Sequence, residues 1–368
     1  MSNWVPRRNE RGMTIIELMI SMVAMLLVVG AALMFIISQV RVNAATFERS
    51  AVQRGGRIAL AIMGREIGRA GLGLPHYLAF QELKAAGDRC AQAPQLSVAS
   101  LDYLREWRLV SATGDTTGGT LTLESASPEP TGVATDVDIL AGQWLYLYQS
   151  TAYDSATPAS GAHGHGMVHV GGKRTAGDTD VDIGSTTYGL KKLDLSSTTI
   201  VPTSPSRKTA VLLAQVSTFG VDCTDDPTKP YLFWATRGVG EERLPLAAVV
   251  DTSVLANDAP LVRALANERV GLRFRFLVDR DQNGEPDDLD GSGALDDDDW
   301  VPNASLAGNF PADLELVTAV EVQLRLRSER PDPRTGRYQV QDFLERMQTA
   351  NIRTPLSHKY LFVDNTGL

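Results

Sequence analysis

Residues 11–18 read Arg-Gly-Met-Thr-Ile-Ile-Glu-Leu, and a long apolar run follows them. From Leu18 to Ile37 there are 20 residues, none of them charged and none Pro or Asn. At the α-helical rise, such a run spans about 30 Å, which is the thickness of the hydrocarbon core of a bilayer. This stretch therefore predicts a membrane-spanning helix near the N-terminus.

A short basic leader precedes the apolar run. Arg7, Arg8 and Arg11 stand against the single acid Glu10. By the positive-inside tendency, this leader stays in the cytoplasm and everything after the helix lies across the membrane. An ordinary secretory signal is cut beyond its apolar region. Here the candidate cleavage site follows Gly12, before the apolar run, so processing would leave the helix on the mature protein.

The order of these features resembles the type IV prepilins: a basic leader ending in Gly, five residues ending in Glu, and then a spanning helix. The resemblance implies that a prepilin peptidase cuts between Gly12 and Met13 and methylates the new N-terminus. It also implies that the Glu17 carboxylate pairs with the α-amino group of a neighbouring subunit and draws subunits into register. The residues alone also allow a simpler interpretation of Glu17, because the helix macrodipole and snorkelling to the headgroups favour an acid in the first turn.

The helix is expected to continue beyond the membrane. From Phe47 to Ala70 apolar residues recur at spacings of three and four, which is typical of an amphipathic helix, and Pro75 ends the segment. We expect a leader at 1–12, a transmembrane or filament-core helix at 13–42, an amphipathic half at 43–74 and an exported domain at 75–368. Gly55-Gly56 is a weak point at which the helix could bend.

Residues 53–71 make the resemblance to pilins more specific. They read QRGGRIALAIMGREIGRAG, in which Arg-x-Ala-Leu is followed by Arg-Glu-Ile-x-Arg-Ala-Gly, a pattern similar to the PilW family of minor pilins. The similarity implies a complex of minor pilins that primes pilus assembly with the major pilin and sits at the tip, often with a tip adhesin. The protein would begin as a single-pass inner-membrane protein with a periplasmic C-terminal domain. It would act by subunit association, so we expect no enzymatic activity.

The rest of the chain is predicted to be rich in β-structure. Six segments have the composition or alternation of strands, at 119–124, 143–148, 210–221, 231–235, 269–278 and 320–327. The expected fold class is α+β: a pilin-like fold with a long N-terminal helix packed on an antiparallel β-sheet domain. Residues 151–206 are rich in Gly, Ser, Thr and Asp, and long loops are expected there. His163–His169 is interpreted as a mobile segment of such a loop. The alternative is a strand that places its three histidines on one side as ligands of a transition metal.

Charge is concentrated in one segment. The chain has 35 basic and 44 acidic residues, for a net charge of −9, and this acidic balance argues against nucleic acid as a partner. Between Asp279 and Asp299 there are ten acids against the single Arg280, a local net charge of −9. The acidity therefore belongs to one loop, and the remainder of the chain is close to neutral.

Within that loop, residues 279–290 have the spacing of an EF-hand-type calcium loop, with oxygen ligands at positions 1, 3 and 5, Gly at 6, a carbonyl at 7 and acids at 9 and 12. The candidate calcium ligands are Asp279, Asp281, Asn283, Glu285, Asp287 and Asp290. Position 12 is Asp rather than Glu and a strand enters the loop, as in EF-hand-like loops of exported bacterial proteins. The alternative is a solvated acidic hairpin tip. Asp296–Asp299 has no ligand spacing of its own and is interpreted as a solvated run or the source of one extra ligand.

The chain has two cysteines, Cys90 and Cys223, both in the part expected to be exported. An oxidising compartment permits them to form a disulfide. Its long closed loop would contribute about 4–5 kcal/mol in the chain-entropy description. The alternative is two buried free thiols.

Two other interpretations share parts of this pattern. A J-type pseudopilin of type II secretion has the same N-terminus and caps a short filament. A membrane-tethered, calcium-dependent adhesin or enzyme would have the acidic loop behind a leader that only imitates the motif. The latter would not depend on prepilin peptidase.

Overall fold

The computed structural model describes residues 14–74, 78–82, 95–114, 118–125, 138–149, 165–175, 178, 180–183, 209–223, 229–236, 243–250, 271–281, 285–302, 317–333 and 335–349. Its longest element is the helix α1 (Ile15–Gly68), which has 54 residues. At the α-helical rise α1 is about 80 Å long. The predicted single helix across both segments is confirmed.

A capping box begins α1. Thr14 Oγ1 accepts a hydrogen bond from Glu17 N at 3.3 Å, and Glu17 Oε2 accepts one from Thr14 N at 3.0 Å. These bonds satisfy backbone N–H groups that have no partner within the first turn of a helix. At the other end, α1 stops two residues before the predicted Ala70. Gly71 and Gly73 then turn the chain with φ values of 80° and 76°.

The two halves of α1 have different surroundings. The large apolar side chains between Ile15 and Val40 are all at least 44% exposed. Farther along, one face is buried, and its residues recur at spacings of three and four: Val52, Gly56, Ala59, Leu60, Met63, Glu66 and Ile67. This confirms an amphipathic helix whose buried face includes Met63 and Ile67, whereas Ile58, which has the predicted spacing, is 50% exposed. The helix runs without interruption through Gly55-Gly56.

Within the described residues, thirteen strands follow α1. In chain order they are β1 (Phe80–Glu82), β2 (Leu96–Gly114), β3 (Gly119–Ser125), β4 (Trp144–Gln149), β5 (His165–His169), β6 (Asp180–Ile183), β7 (Thr209–Asp222), β8 (Tyr231–Ala235), β9 (Leu244–Ala248), β10 (Leu272–Val278), β11 (Val301–Pro302), β12 (Val317–Arg327) and β13 (Val340–Gln348). Together they form the β-domain.

The strands of the β-domain are arranged in two antiparallel sheets. The larger sheet has nine strands, in the order β5-β4-β7-β2-β3-β6, with β1 beside β2 and with β8 and then β9 continuing from β7. The smaller sheet has four strands, in the order β11-β10-β12-β13. A single bridge between Val249 and Leu326 joins the end of β9 to β12. The predicted α+β fold is confirmed, with two sheets in place of one.

All six predicted segments are strands, with ends shifted by up to three residues. The prediction missed β1, β2, β9, β11 and β13. In β2, Asp102 and Glu106 flank a shift of register against β7. The prediction was wrong for part of the segment 151–206, because residues 165–169 and 180–183 form β5 and β6 instead of loops. Strand β5 pairs with β4 and β6 pairs with β3, and such cross-strand pairing overrides a loop-like composition.

The buried face of α1 packs mainly on the smaller sheet. Ala59, Met63 and Ile67 are fully buried and belong to the same apolar cluster as Phe274 and Phe276 of β10. Burial of this apolar surface is the main stabilising contribution at the interface. The distal half of α1 is therefore part of the core of the β-domain, and the apolar half extends away from it.

A buried acid also joins α1 to the larger sheet. Glu66 is only 3% exposed, and its Oε2 accepts a hydrogen bond from Ser217 Oγ of β7 at 3.0 Å. Its other carboxylate oxygen lies 2.8 Å from Nη2 of Arg65, a side chain at the surface. A buried carboxylate needs such partners, because its transfer from water is costly when they are absent. Both sheets are thus fixed to the same helix.

Candidate functional site

The first candidate site is the beginning of α1. Glu17 lies in its first turn and is exposed, and its Oε2 accepts hydrogen bonds from the backbone N and from Oγ1 of Thr14, at 3.0 and 3.1 Å. This local pairing holds the carboxylate at the N-terminal end of the helix. Gly12 and Met13, the predicted cleavage site, lie outside the described residues.

The apolar half of α1 is the largest exposed apolar surface of the described chain. Its side chains include Leu26 and Leu27, both 71% exposed, and Met34, 76% exposed. Patches of this size are rare on soluble monomers and mark protein or membrane contacts. By length and composition the helix can cross a membrane. The arrangement is consistent with single-pass anchoring of the β-domain.

The second candidate site is the acidic loop between β10 and β11. Asp279, Asp281 and Asp287 each place a carboxylate oxygen within 4.8 Å of the others. Asp279 is 1% exposed. The group is held by the backbone, because Asp287 N donates to Val278 O at 2.9 Å and Asp287 Oδ2 accepts from Arg280 N at 2.8 Å. Positions 1, 3 and 9 of the predicted calcium loop therefore converge.

The other predicted ligands do not join this group in the described part of the chain. Asn283 lies outside the described residues. Glu285 belongs to none of the three groups of converging acids, although position 7 of such a loop supplies a backbone carbonyl. Asp290, predicted at position 12, lies instead with two other groups: Asp288 and Asp299, and Asp296 and Asp298.

The interpretation of residues 296–299 as a solvated run is wrong for Asp299, whereas Asp296, Asp297 and Asp298 are exposed. Asp299 is fully buried, and its carboxylate accepts hydrogen bonds from Leu289 N at 2.6 Å and Asp296 N at 2.8 Å. Counted from Asp288, the sequence has oxygen-bearing side chains at positions 1, 3, 5, 9 and 12 and Gly at position 6. This second, overlapping EF-hand spacing was the signal that the sequence analysis missed.

The backbone of the second stretch is arranged around Asp288. Its carboxylate accepts hydrogen bonds from the N–H groups of Gly293, Gly291 and Ser292. These bonds, the one from Gly293 first, hold the pKa of Asp288 below its ordinary value. Gly291 and Gly293 have φ values of 72° and 85°, which residues with a Cβ rarely adopt. The segment is thus a defined turn around carboxylates, with chemistry suited to a hard divalent cation.

An ionic network ties the acidic loop to the smaller sheet. Glu321 of β12 is fully buried and pairs with Arg275 of β10 at 3.1 Å and Arg346 of β13 at 2.8 Å. The same two arginines pair with Asp297 of the loop, at 3.3 and 2.7 Å. Arg346 also lies over the ring of Trp300, 5.0 Å from its centroid. Ion pairs therefore connect the acidic loop directly to β10 and β13, and the same two arginines hold Glu321 of β12.

The structure describes one of the two cysteines. Cys223 follows β7 and is fully buried in the cluster that includes the distal half of α1. Cys90 lies outside the described residues, so a Cys90–Cys223 disulfide stays a prediction.

Comparison with known proteins finds a known sequence motif in the N-terminal segment. A family profile described as the prokaryotic N-terminal methylation motif matches residues 7–33, which include the last six residues of the leader, the candidate cleavage site and the first part of α1. No curated protein and no solved structure matches the chain. The chain therefore has the processing motif of type IV pilin-like proteins, which associate with pilus or pseudopilus components after cleavage by a prepilin peptidase.

Proposed function

We propose that this type IV pilin-like protein is a minor pilin of the PilW kind, which takes part in priming pilus assembly and sits at or near the pilus tip. It acts by association with other minor pilins and the major pilin, without catalysis. The observation that supports this most is the division of α1: an exposed apolar half behind a methylation motif continues directly into a half buried in the β-domain.

This division of α1 suits a protein that moves from a membrane into a filament. Before assembly, lipid covers the apolar half, with the leader in the cytoplasm and the β-domain in the periplasm. After extraction, the same surface must be covered by the corresponding helices of neighbouring subunits, since exposure to water is unfavourable. The β-domain does not need to refold in this transfer, because its core includes only the distal half of the helix.

We propose that the contact made by Glu17 sets the axial register between neighbouring subunits of the filament. Its carboxylate lies at the start of α1, and cleavage after Gly12 would create a positive α-amino group on Met13 of the neighbouring subunit. An ionisable group next to an apolar span is costly, which favours a specific partner. A helix-by-helix pairing of this kind would align subunits without any contribution from the β-domain.

We further propose that the acidic loop binds calcium. Asp279, Asp281 and Asp287 form one candidate group of ligands, and the acids that converge on Asp290 form a second, separate candidate. Ten acids in 21 residues repel one another, and a bound divalent cation relieves that repulsion. Because Asp297 ties the loop to Arg275 of β10 and Arg346 of β13, calcium would stiffen the smaller sheet.

The decisive experiment for the pilin assignment is processing and partner selection of the full chain. In cells with prepilin peptidase, mature protein should begin at Met13, and Gly12→Val should remain full-length in the inner membrane. Processing that is unchanged without the peptidase would contradict the assignment and favour a tethered adhesin.

A J-type pseudopilin is the competing assignment within the same class, since it shares the motif and helix. Coexpression of the full chain with a minor-pilin set or with a type II pseudopilin set, followed by detergent extraction and co-purification, separates the two. We expect a stable complex with the minor pilins. A complex formed with the pseudopilins alone would overturn the pilus assignment.

A further inference from the structure

The amphipathic half of α1 has a second stripe of residues, on the side opposite to the buried face. At 3.6 residues per turn, the members of this stripe lie within about 80° of one another around the helix. All of them are exposed, whereas Val52, Ala59 and Met63 of the opposite face are buried. We call this set the outer stripe, and its residues recur at spacings of four and three: Phe47, Ala51, Arg54, Ile58, Ala61 and Arg65.

The outer stripe has the spacing and the exposed apolar side chains of a helix that packs along another helix. Phe47 is 73% exposed and Ile58 is 50% exposed, and they are the exposed large apolar side chains of residues 41–69. The stripe is about 27 Å long from Phe47 to Arg65. Alternating spacings of three and four are the pattern by which two helices interlock their side chains. The outer stripe therefore fits an α-helix better than a loop or a strand.

Two arginines give the outer stripe an uncompensated positive charge. Arg54 in the stripe and Arg57 at its border are exposed, and neither makes a hydrogen bond, an ion pair or a ring contact within the part of the chain that the structure describes. The only acids of residues 41–69 are Glu48 and Glu66. Glu66 is buried against β7, and Glu48 lines a hollow beside β9. A partner of the outer stripe should therefore supply carboxylates.

Lipid headgroups lie too far from these arginines to be that partner. Ile37 is the last residue of the uncharged apolar run. From Ile37 the helix rises about 26 Å to Arg54 and about 30 Å to Arg57. The headgroup layer on one side of a bilayer is about 5–8 Å thick. Arg54 and Arg57 are thus beyond the membrane surface, and the partner is expected to be a protein.

A second copy of the chain does not offer a complementary surface. Two outer stripes placed together would bring no acid near Arg54 or Arg57, because the stripe contains none. Unmatched or like charges at an interface disfavour association. The acidic loop of a second copy is a turn whose carboxylates bind its own backbone, and it provides no helix about 27 Å long. The charge pattern therefore favours a different chain.

We propose that the outer stripe binds an acidic amphipathic helix of a different protein chain. Apolar residues of that helix pack on Phe47 and Ile58, and this burial supplies the favourable free energy. Its carboxylates pair with Arg54 and Arg57, whose guanidinium groups can each bind a carboxylate through two hydrogen bonds. These pairs select the partner and its orientation. The identity of this chain as a neighbouring filament subunit rests on the proposed function, whereas the preference of the outer stripe does not.

The preference is tested with the full-length chain in nanodiscs of zwitterionic lipid. The probes are two fluorescent helical peptides of three heptads, with Leu at the apolar positions and either Glu or Lys at the flanking positions. We expect only the Glu peptide to bind more strongly than it binds to empty nanodiscs. Equal binding of the two peptides, or no binding of the Glu peptide, would overturn the proposal.

Charge reversal shows whether the Glu peptide binds at the outer stripe. Arg54→Glu/Arg57→Glu should weaken its binding about tenfold or more, since carboxylates would then face carboxylates. Arg54→Lys/Arg57→Lys should keep most of the binding, because it keeps the charge. Arg273→Glu/Arg337→Glu is the matched control, with the same change of charge at exposed positions of the β-domain, and should leave the binding unchanged. The same loss in both double reversals would mean that only net charge matters, and would contradict a site on α1.

Two further results identify the occupant. In cells, Arg54→Glu/Arg57→Glu should be processed normally and yet co-purify less with the minor-pilin set than Arg273→Glu/Arg337→Glu does. Unchanged co-purification would rule out a filament subunit as the occupant, whereas failure of processing in the parent chain would instead contradict the pilin assignment. Dimers of the parent chain in detergent that Arg54→Glu/Arg57→Glu dissociates would identify the occupant as a second copy and overturn the proposal.

Discussion

Replacing Gly56 with Ala should weaken the packing of α1 on the β-domain, and the same substitution at Gly55 should not. Both substitutions favour the helix by about 0.5–1 kcal/mol, since Gly is a poor helix former. They differ in what the new Cβ meets. At Gly55 the nearest atom is Ala247 Cβ at 3.7 Å, an ordinary contact. At Gly56 the Cβ would lie 2.5 Å from Cε2 and 2.7 Å from Cε1 of Phe343.

The magnitude follows from these two contributions. A Cβ overlapping an aromatic ring forces a shift of side chain or backbone, and such overpacking costs about 1–3 kcal/mol. Phe343 is half-buried on the edge strand β13, so its ring can turn and the cost should fall toward the lower bound. After the gain in helix propensity, Gly56→Ala should lose about 0–2 kcal/mol relative to the parent. Gly55→Ala should gain up to about 1 kcal/mol.

The assay is unfolding of the full chain in detergent, followed by the tryptophan fluorescence of the β-domain. Gly55→Ala is the matched control, because it makes the same chemical change one residue away. A double-mutant cycle with Phe343→Ala should show that the cost of Gly56→Ala disappears when the ring is absent. If Gly56→Ala is as stable as Gly55→Ala, or if Phe343→Ala does not relieve its cost, the close approach of α1 to β13 is not what requires glycine at position 56.

The remaining predictions concern the proposed sites. Glu17→Ala should be processed and inserted normally but should enter filaments poorly; equal incorporation in a pull-down of assembled filaments would contradict the pairing. Calcium at a hundredfold excess over Kd should stabilise the β-domain by about 2.7 kcal/mol, and Asp281→Asn should abolish this rise in Tm. Glu285→Gln should keep it, because position 7 contributes a carbonyl; loss in both variants would point to general charge reduction. Backbone N–H groups lower the pKa of Asp288 in the folded state, so its stabilising contribution is complete above the ordinary Asp value of 3.8 and is lost as the pH falls through the lowered pKa. In Asp288→Asn, the free energy of unfolding should fall less steeply as the pH is lowered than in the parent. An unchanged dependence at acidic pH would contradict a stabilising role of the Asp288 carboxylate.

The features predicted best from sequence depend on neighbouring residues alone. The apolar run from Leu18 to Ile37 defines a spanning helix whatever the rest of the chain does, because its length and lack of charge are local properties. The spacing of three and four that gives α1 its buried face is likewise local, as is the alternation of β10 and β12. The first three converging acids also follow from local spacing.

The failures concern contacts between distant segments. Strand β5 forms because residues 165–169 pair with β4, although their composition favours a loop. Asp299 appeared to belong to a solvated run, and only the fold of the loop buries it against Leu289 N. In each case the deciding energy comes from a partner that is remote in the sequence, or from a turn whose shape the composition does not determine.

By itself, the sequence determined that this chain has a pilin-like processing motif, one long helix with an apolar and an amphipathic half, and an acidic loop with the spacing of calcium ligands. Only the tertiary structure decided that the strands divide into two sheets, that Asp290 groups with Asp288 and Asp299 rather than with Asp279, and that Asp299 is buried. The reason is physical: periodicity and charge are read along the chain, whereas the convergence of side chains depends on strand register and on which surfaces exclude water together.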